Sequence, residues 1–310
     1  MENQASSTSS FSKFFAFLVS IFMVLSVLGF AVSWVFEKMV IYSPTISGAS
    51  KVNRILTYSN ENEIPILGSS RAEASYHPTY LGDQFYNYGI AGSDARVWIF
   101  FLEQELLKDK ATPIIINFDM KGFTSSIGDE GNYIPNFPKT QPILESKAKT
   151  AYYFPFIKYF GWYESYLKYY INEKNAITKY IDRGATNEKN IPTRAQFQAM
   201  IEKRKKTASK FHKNDAHIQT FHELISSTER KLYVVIAPYH SSYFEQFENP
   251  EELDSYLNSL SRFDNVAVID LRSFADDETE FFDTTHLNYK GAIRFSKKLK
   301  ELLGLTGGAS

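Results

Sequence analysis

Apolar positions along the chain fall into two kinds of run. Short, nearly unbroken ones cover Ile64–Leu67, Phe85–Tyr88, Pro113–Phe118, Leu232–Ala237 and Val266–Ile269. Runs of this length, without a regular polar face, fit parallel strands covered on both sides. Between them the apolar residues recur at helical spacing. Ser93 or Asp94 can cap a helix reaching about Lys108, with Val97, Ile99, Phe100, Phe101, Leu102, Leu106 and Leu107 as its apolar positions. Pro250–Leu260 reads as another helix, and Tyr289–Leu303 as a closing one with Ala292, Ile293, Phe295, Leu299, Leu302 and Leu303 on its apolar side. Five strands alternating with helices predict an α/β protein: a three-layer α/β/α sandwich on a mostly parallel five-stranded sheet. Ligands then gather at the carboxyl ends of the strands.

Three stretches depart from this rhythm. Residues 1–13 are polar and Ser-rich, and Phe14 to Phe36 then run without a charge. That length suffices for a helix across a bilayer core of roughly 30 Å. Trp34 and Phe36 sit where aromatic anchors are favoured, and Glu37-Lys38 end the run. It reads as an uncleaved membrane anchor; a cleaved signal peptide, cut near Gly29-Phe30-Ala31, is the alternative. Lys13 before the span and Lys38 after it encode orientation weakly. Residues 37–60, with Pro44 and Gly48, read as a linker into a main domain over 61–304, and 305–310 as a tail. Within the main domain, 120–227 reads as an insertion or lid: a Gly/Pro/Asn/Ser-rich loop to 150, a Tyr/Phe-rich segment over 151–182, and a basic helical part over 193–227.

Composition narrows the chemistry. At 310 residues, 44% of them hydrophobic and 22% charged, the chain can bury the core of one sizeable domain. A net charge of -1 gives no global attraction to nucleic acid. The absence of cysteine excludes disulfides, thiol nucleophiles and cysteine metal sites. His212, His217 and His222 are five apart and do not align on one helix face, so they do not read as a zinc site. No metal or organic cofactor is suggested.

Two short segments carry chemistry. Ile66-Leu67-Gly68-Ser69-Ser70-Arg71 is a strand ending in a small-residue turn that aims a hydroxyl out of the sheet edge. Asp283-Thr284-Thr285-His286 lies just before the closing helix. A serine hydroxyl needs a base to become a nucleophile. His286 can take the Ser70 proton, and Asp283, one turn away, can fix the imidazole tautomer and stabilise the imidazolium.

These segments resemble the blocks of the SGNH/GDSL hydrolase superfamily. Gly68-Ser69-Ser70 is similar to its Gly-Asp-Ser block, Asn87-Tyr88-Gly89-Ile90-Ala91-Gly92 to its Asn-x-Gly-x-x-Gly block, and Asp283-Thr284-Thr285-His286 to its Asp-x-x-His block. The resemblance implies an SGNH (flavodoxin-like) sandwich, Ser70 as nucleophile, and the Gly92 and Ser70 amides as oxyanion donors. Ser69 replaces the usual Asp, and the Gly-x-Asn-Asp block has no clean match in Asn117-Phe118-Asp119-Met120-Lys121-Gly122. Asn117 is the candidate substitute for its oxyanion donor, though an Asn inside a strand can equally point elsewhere. With the N-terminal anchor, the pattern is similar to membrane-bound members that modify envelope polymers, such as the teichoic-acid D-alanylation and alginate O-acetylation proteins. The resemblance implies an esterase or O-acyltransferase facing outside the membrane, acting on an envelope glycan or another acyl ester beside a membrane-bound acyltransferase. The alternative is a weakly active or inactive binding and assembly partner of such a transferase.

Further residues have two readings each. Arg71 either binds an anionic substrate or pairs with a surface carboxylate. His240 either lines the pocket or sits on a surface loop. The basic run Lys203-Arg204-Lys205-Lys206 is a solvated helix face or a contact for anionic lipid or glycan. The aromatics between Tyr152 and Tyr170 fit a core or partner interface more readily than a sugar-stacking surface.

Overall fold

A computed structural model describes residues 5–36, 49–124, 183–186 and 189–304. Strands β1 (Ile64–Leu67), β2 (Phe85–Asn87), β3 (Ile114–Asn117), β4 (Leu232–Ile236) and β5 (Val266–Asp270) form one sheet in the order β2-β1-β3-β4-β5. Every neighbouring pair is parallel. The sheet is the expected one, each strand lying within a residue or so of its apolar run. Pro65 sits in the central strand β1 although it has no N–H to give; the register with β3 begins only at Ile66.

Side chains alternate between the two faces, as strand geometry requires. Ile114, Ile116, Leu232, Val234 and Ile236 face one apolar core; Ile64, Ile66, Ile115 and Val235 face the other. Helices cover both. On the first face lie α2 (Ala49–Thr57), α5 (Ala95–Leu106), α7 (Asp215–Ser226) and α9 (Pro250–Ser259). On the second lie α3 (Ser70–Ser75), α4 (Pro78–Leu81), α6 (Arg194–Arg204) and α10 (Tyr289–Leu303). α8 (Ser241–Phe244) is a single turn after β4. Asp94 caps α5 through the Arg96 amide, and Asn288 caps α10 through the amides of Lys290 and Gly291.

Two expectations are corrected. Residues 37–60 are not linker throughout: 49–57 form α2, whose Val52 and Ile55 are fully buried against the α5 layer. The polar residues between these apolar ones concealed a helix that is short but amphipathic. Nor is 120–227 an addition throughout. Phe221 and Ile225 of α7 are fully buried in the first core, and Phe197 and Ile201 of α6 enter the second. α7 is the layer helix between β3 and β4. Trp98 of α5 meets Phe221 edge-on at 5.3 Å, so truncating Phe221 to Ala would cost about 3–5 kcal/mol. The aromatic stretch 151–182 lies outside the described residues.

The N-terminal helix α1 (Ala5–Phe36) contains a long apolar stretch, Ser10–Val35, whose most apolar window reaches a mean hydropathy of 2.6. Its length and composition are those of a membrane span, and a signal sequence has the same properties.

Candidate active site

Strands β1 to β4 deliver site residues just past their carboxyl ends, while Asp283 and His286 come from the longer loop between β5 and α10. After β1 the chain turns at Gly68, with φ +152°; a Cβ there would lie 2.7 Å from the Ala72 Cβ and 2.9 Å from the Asn117 Cβ. Only glycine lets α3 start so close to the sheet. Ser69 caps α3, accepting from the Arg71 amide, while its hydroxyl donates to Asp119 Oδ2 at 2.5 Å. Ser70, the first helical residue, is left facing the cavity at the sheet edge.

The loop after β2 is fastened to α3 from beneath. Asn87 donates from Nδ2 to the carbonyls of Ala72 (2.7 Å) and Tyr76 (2.8 Å), and its Oδ1 accepts from the Gly89 amide at 2.8 Å. A Cβ on Gly89 would come within 2.5 Å of the Glu73 nitrogen. The Asn and first Gly of the second sequence block are therefore clamp and close-approach residues. Glu73 Oε2 accepts from the Ala91 amide, and Lys51 of α2 donates to Glu73 Oε1 at 3.0 Å and to the Gly89 carbonyl. Burial pulls the Lys51 pKa down, against the pull of Glu73. This buried pair, unmarked in the sequence, holds the loop that carries Gly92. Neither the Ser70 nor the Gly92 amide donates a hydrogen bond to the described residues, and both residues line the same cavity.

On the other side, Asp283 folds its own loop. Its Oδ1 accepts from the Thr285 and His286 amides at 2.7 and 2.9 Å. The same carboxylate accepts from His286 Nδ1 (2.9 Å to Oδ2). With that nitrogen protonated, Nε2 is an acceptor, and it lies 2.8 Å from Ser70 Oγ. Burial works to raise the Asp283 pKa, but the hydrogen bond and charge of His286, then the Thr285 donors, outweigh it and hold the carboxyl well below its usual range. The carboxylate is thus ionised at any pH near neutral.

Ser70, Gly92 and His286 line one cavity, with Asp283 bonded to His286; Arg71, Asn117 and His240 stand otherwise than the sequence reading placed them. Arg71 lines the cavity and does pair with a carboxylate, that of Asp119, but it is buried rather than on the surface. Its buried guanidinium donates to the carbonyls of Thr285 (2.8 Å), Ala237 (2.7 Å) and Pro238 (2.7 Å), stacks on Tyr239 and faces Asp119 at 3.4 Å. Asn117 is no oxyanion donor: its Nδ2 donates to Asp119 Oδ1 at 3.0 Å, and its Oδ1 accepts from Tyr76 Oη at 3.0 Å. Strand alternation turns it into the core, where it is 1% exposed. His240 is buried, caps α8 through the Ser242 amide and packs edge-on to Phe197 and Phe281; it lines neither the cavity nor the surface.

The cavity at Ser70 measures about 270 Å³. Sequence reading missed several of its walls: Trp98, Asp119, Lys121, Arg204, Tyr239 and Tyr243. For Asp119, Lys121 and Tyr239 a signal existed, because each lies within a few residues of the carboxyl end of β3 or β4.

No protein-family model matches the chain, and no curated protein matches it. Among solved structures, one from Streptococcus pneumonia, provisionally assigned as a platelet activating factor, is similar over 93% of this chain and 99% of its own, at 11% identity and a TM-score of 0.41. Another from Bacteroides fragilis, provisionally assigned as an acylhydrolase, is similar over 83% of this chain and 94% of its own, at 10% identity and a TM-score of 0.39. Overlaps this loose place the chain in no family.

Proposed function

We propose that the protein is a membrane-anchored serine esterase or O-acyltransferase that works on acyl esters outside the membrane, on an envelope or extracellular polysaccharide. The observation that carries this reading is the aligned series Ser70 Oγ, His286 Nε2, His286 Nδ1, Asp283, with gaps of 2.8 and 2.9 Å. Such an alignment, at the carboxyl end of a parallel sheet, serves proton transfer from a nucleophile.

In the first half-reaction, Ser70 Oγ attacks the acyl carbonyl carbon as its proton moves to His286 Nε2. The carbonyl oxygen takes up negative charge, which the Ser70 and Gly92 amides stabilise. Collapse breaks the ester bond, and the leaving alkoxide receives the proton from His286. The acyl group is then an ester of Ser70. In the second half-reaction, water or a sugar hydroxyl loses its proton to His286 and attacks that ester, and Ser70 recovers its proton. The envelope location follows from reading α1 as an anchor with its carboxyl side outside, and the transferase outcome requires an acyl donor supplied at the membrane.

One observation favours a second reading. With Asn117 turned toward Asp119, the oxyanion would rest on two backbone amides, and a binding or assembly partner of a membrane acyltransferase would need no more. A fluorophosphonate serine probe separates the two. The enzyme reading requires an adduct on Ser70 of the folded full-length protein, absent in His286→Ala. No adduct on folded wild-type protein would leave the assembly reading standing.

A further inference from the structure

Charge around the cavity is uneven. Of its acidic walls, Asp94 is paired with Arg96 at 2.9 Å, and Asp119 faces Arg71 while accepting from Ser69 and Asn117. Two further cations, Lys121 and Arg204, line the same cavity, and neither has a carboxylate within ion-pair distance among the described residues. They come from different places, the loop after β3 and the last turn of α6, yet lie close enough for each charge to act on the other. Desolvation first, then the Arg204 cation, pulls the Lys121 pKa down, with Asp119 opposing. Two like charges held together in a partly dry site repel, and an anion between them would relieve the repulsion.

Arg204 is also held ready. One of its terminal nitrogens donates to Ser209 Oγ, and the guanidinium lies 4.5 Å over the Tyr243 ring. Its Nε is buried and has no acceptor among the described residues. Buried donors of this kind are rare in folded proteins, and the residue that carries this one lines the cavity. A second cavity of about 720 Å³, lined by Lys210, His212, Lys213 and Glu248, shares Lys121 and Thr124 with the first. Lys121 thus stands at the junction of the two, where a substrate longer than one ester group would pass.

We infer that Lys121 and Arg204 form an anion subsite beside Ser70, so that the substrate carries a carboxylate or phosphate next to its acyl ester. The inference rests on Ser70 as the reacting group, but it is tested without turnover. Full-length protein in an uncharged detergent is titrated calorimetrically with trigalacturonate, a glycerol-phosphate trimer and uncharged maltotriose. At least one charged probe should bind about tenfold or more tightly than maltotriose, with affinity falling as salt rises. Whichever anion binds identifies carboxylate or phosphate as the source. Lys121→Met, at an exposed position that does not threaten folding, should weaken that binding about tenfold. Arg204→Lys should retain more of it than Arg204→Met, each variant being checked for its unfolding temperature. Charged probes binding no tighter than maltotriose, or full affinity in Lys121→Met, would overturn the inference. Protein that binds the anion but takes no fluorophosphonate adduct keeps the subsite and loses the esterase; an adduct without anion preference does the reverse.

Discussion

Arg71 Nε donates to the Thr285 carbonyl at 2.8 Å, joining the residue after Ser70 to the residue before His286 across 214 positions of sequence. The same guanidinium reaches Ala237 and Pro238 beyond β4. One planar group therefore ties the ends of β1 and β4 to the loop that carries His286, and so sets the Ser70–His286 gap. Lysine carries its three donors on a single nitrogen, with no planar fork to reach carbonyls that Arg71 meets through two different nitrogens. Arg71→Lys should slow fluorophosphonate labelling of Ser70 by about 10–10²-fold through misplacement of His286. The pH dependence of labelling should keep its shape, since the base itself is unchanged. An unaltered labelling rate in a folded variant would show that the gap is set elsewhere.

Lys51 and Glu73 make a comparable prediction for the opposite wall. Their side chains are 2% and 4% exposed, so removing either one takes a close counter-charge from a buried ion. Lys51→Met should lower unfolding free energy by about 3–5 kcal/mol in denaturant titration. The double variant Lys51→Met/Glu73→Gln should recover part of that loss, because neither charge then remains. Additive losses would mean that the two residues act independently.

The sheet was legible because parallel strands covered on both faces become unbroken apolar runs, as Ile114–Asn117 and Leu232–Ile236 do. Ser70 and His286 were legible because short local turns present them, and local chemistry leaves a local mark. Arg71, Lys51 and Glu73 were not. Their partners lie 18 to 214 positions away, and no spacing rule reaches that far. Asn117 misled for a related reason: its identity suggested a donor, but which face it takes is set by the strand register.

The glycine turn gives a test of backbone rather than side chain. At Gly68 φ is +152°, and an added Cβ would press on both Ala72 and Asn117. Relief would push α3, and Ser70 with it, away from the sheet. Gly68→Ala should therefore destabilise the protein by about 1–3 kcal/mol and slow Ser70 labelling by more than the lost stability alone explains. Equal labelling of the folded fraction would mean that α3 moves without carrying Ser70 away from His286.

Asp283 sets how the protein responds to acid. Burial would raise its pKa, but His286 and Thr285 hold it well below the usual carboxylate range. An acid depressed in the folded state contributes stability that is complete above its unfolded pKa, about 3.9, and is lost as pH falls from there toward the folded value. Wild-type unfolding free energy should accordingly decline with falling pH below about 4, and Asp283→Asn should flatten part of that decline while being less stable at neutral pH. Activity has a different limit. Labelling of Ser70 depends on the Asp283 carboxylate holding the His286 ring in place. Asp283→Asn should lower the labelling plateau by 10²-fold or more, on the order expected for loss of a positioned base. An Asn variant with the wild-type plateau would show that Asp283 does not hold His286 for the reaction.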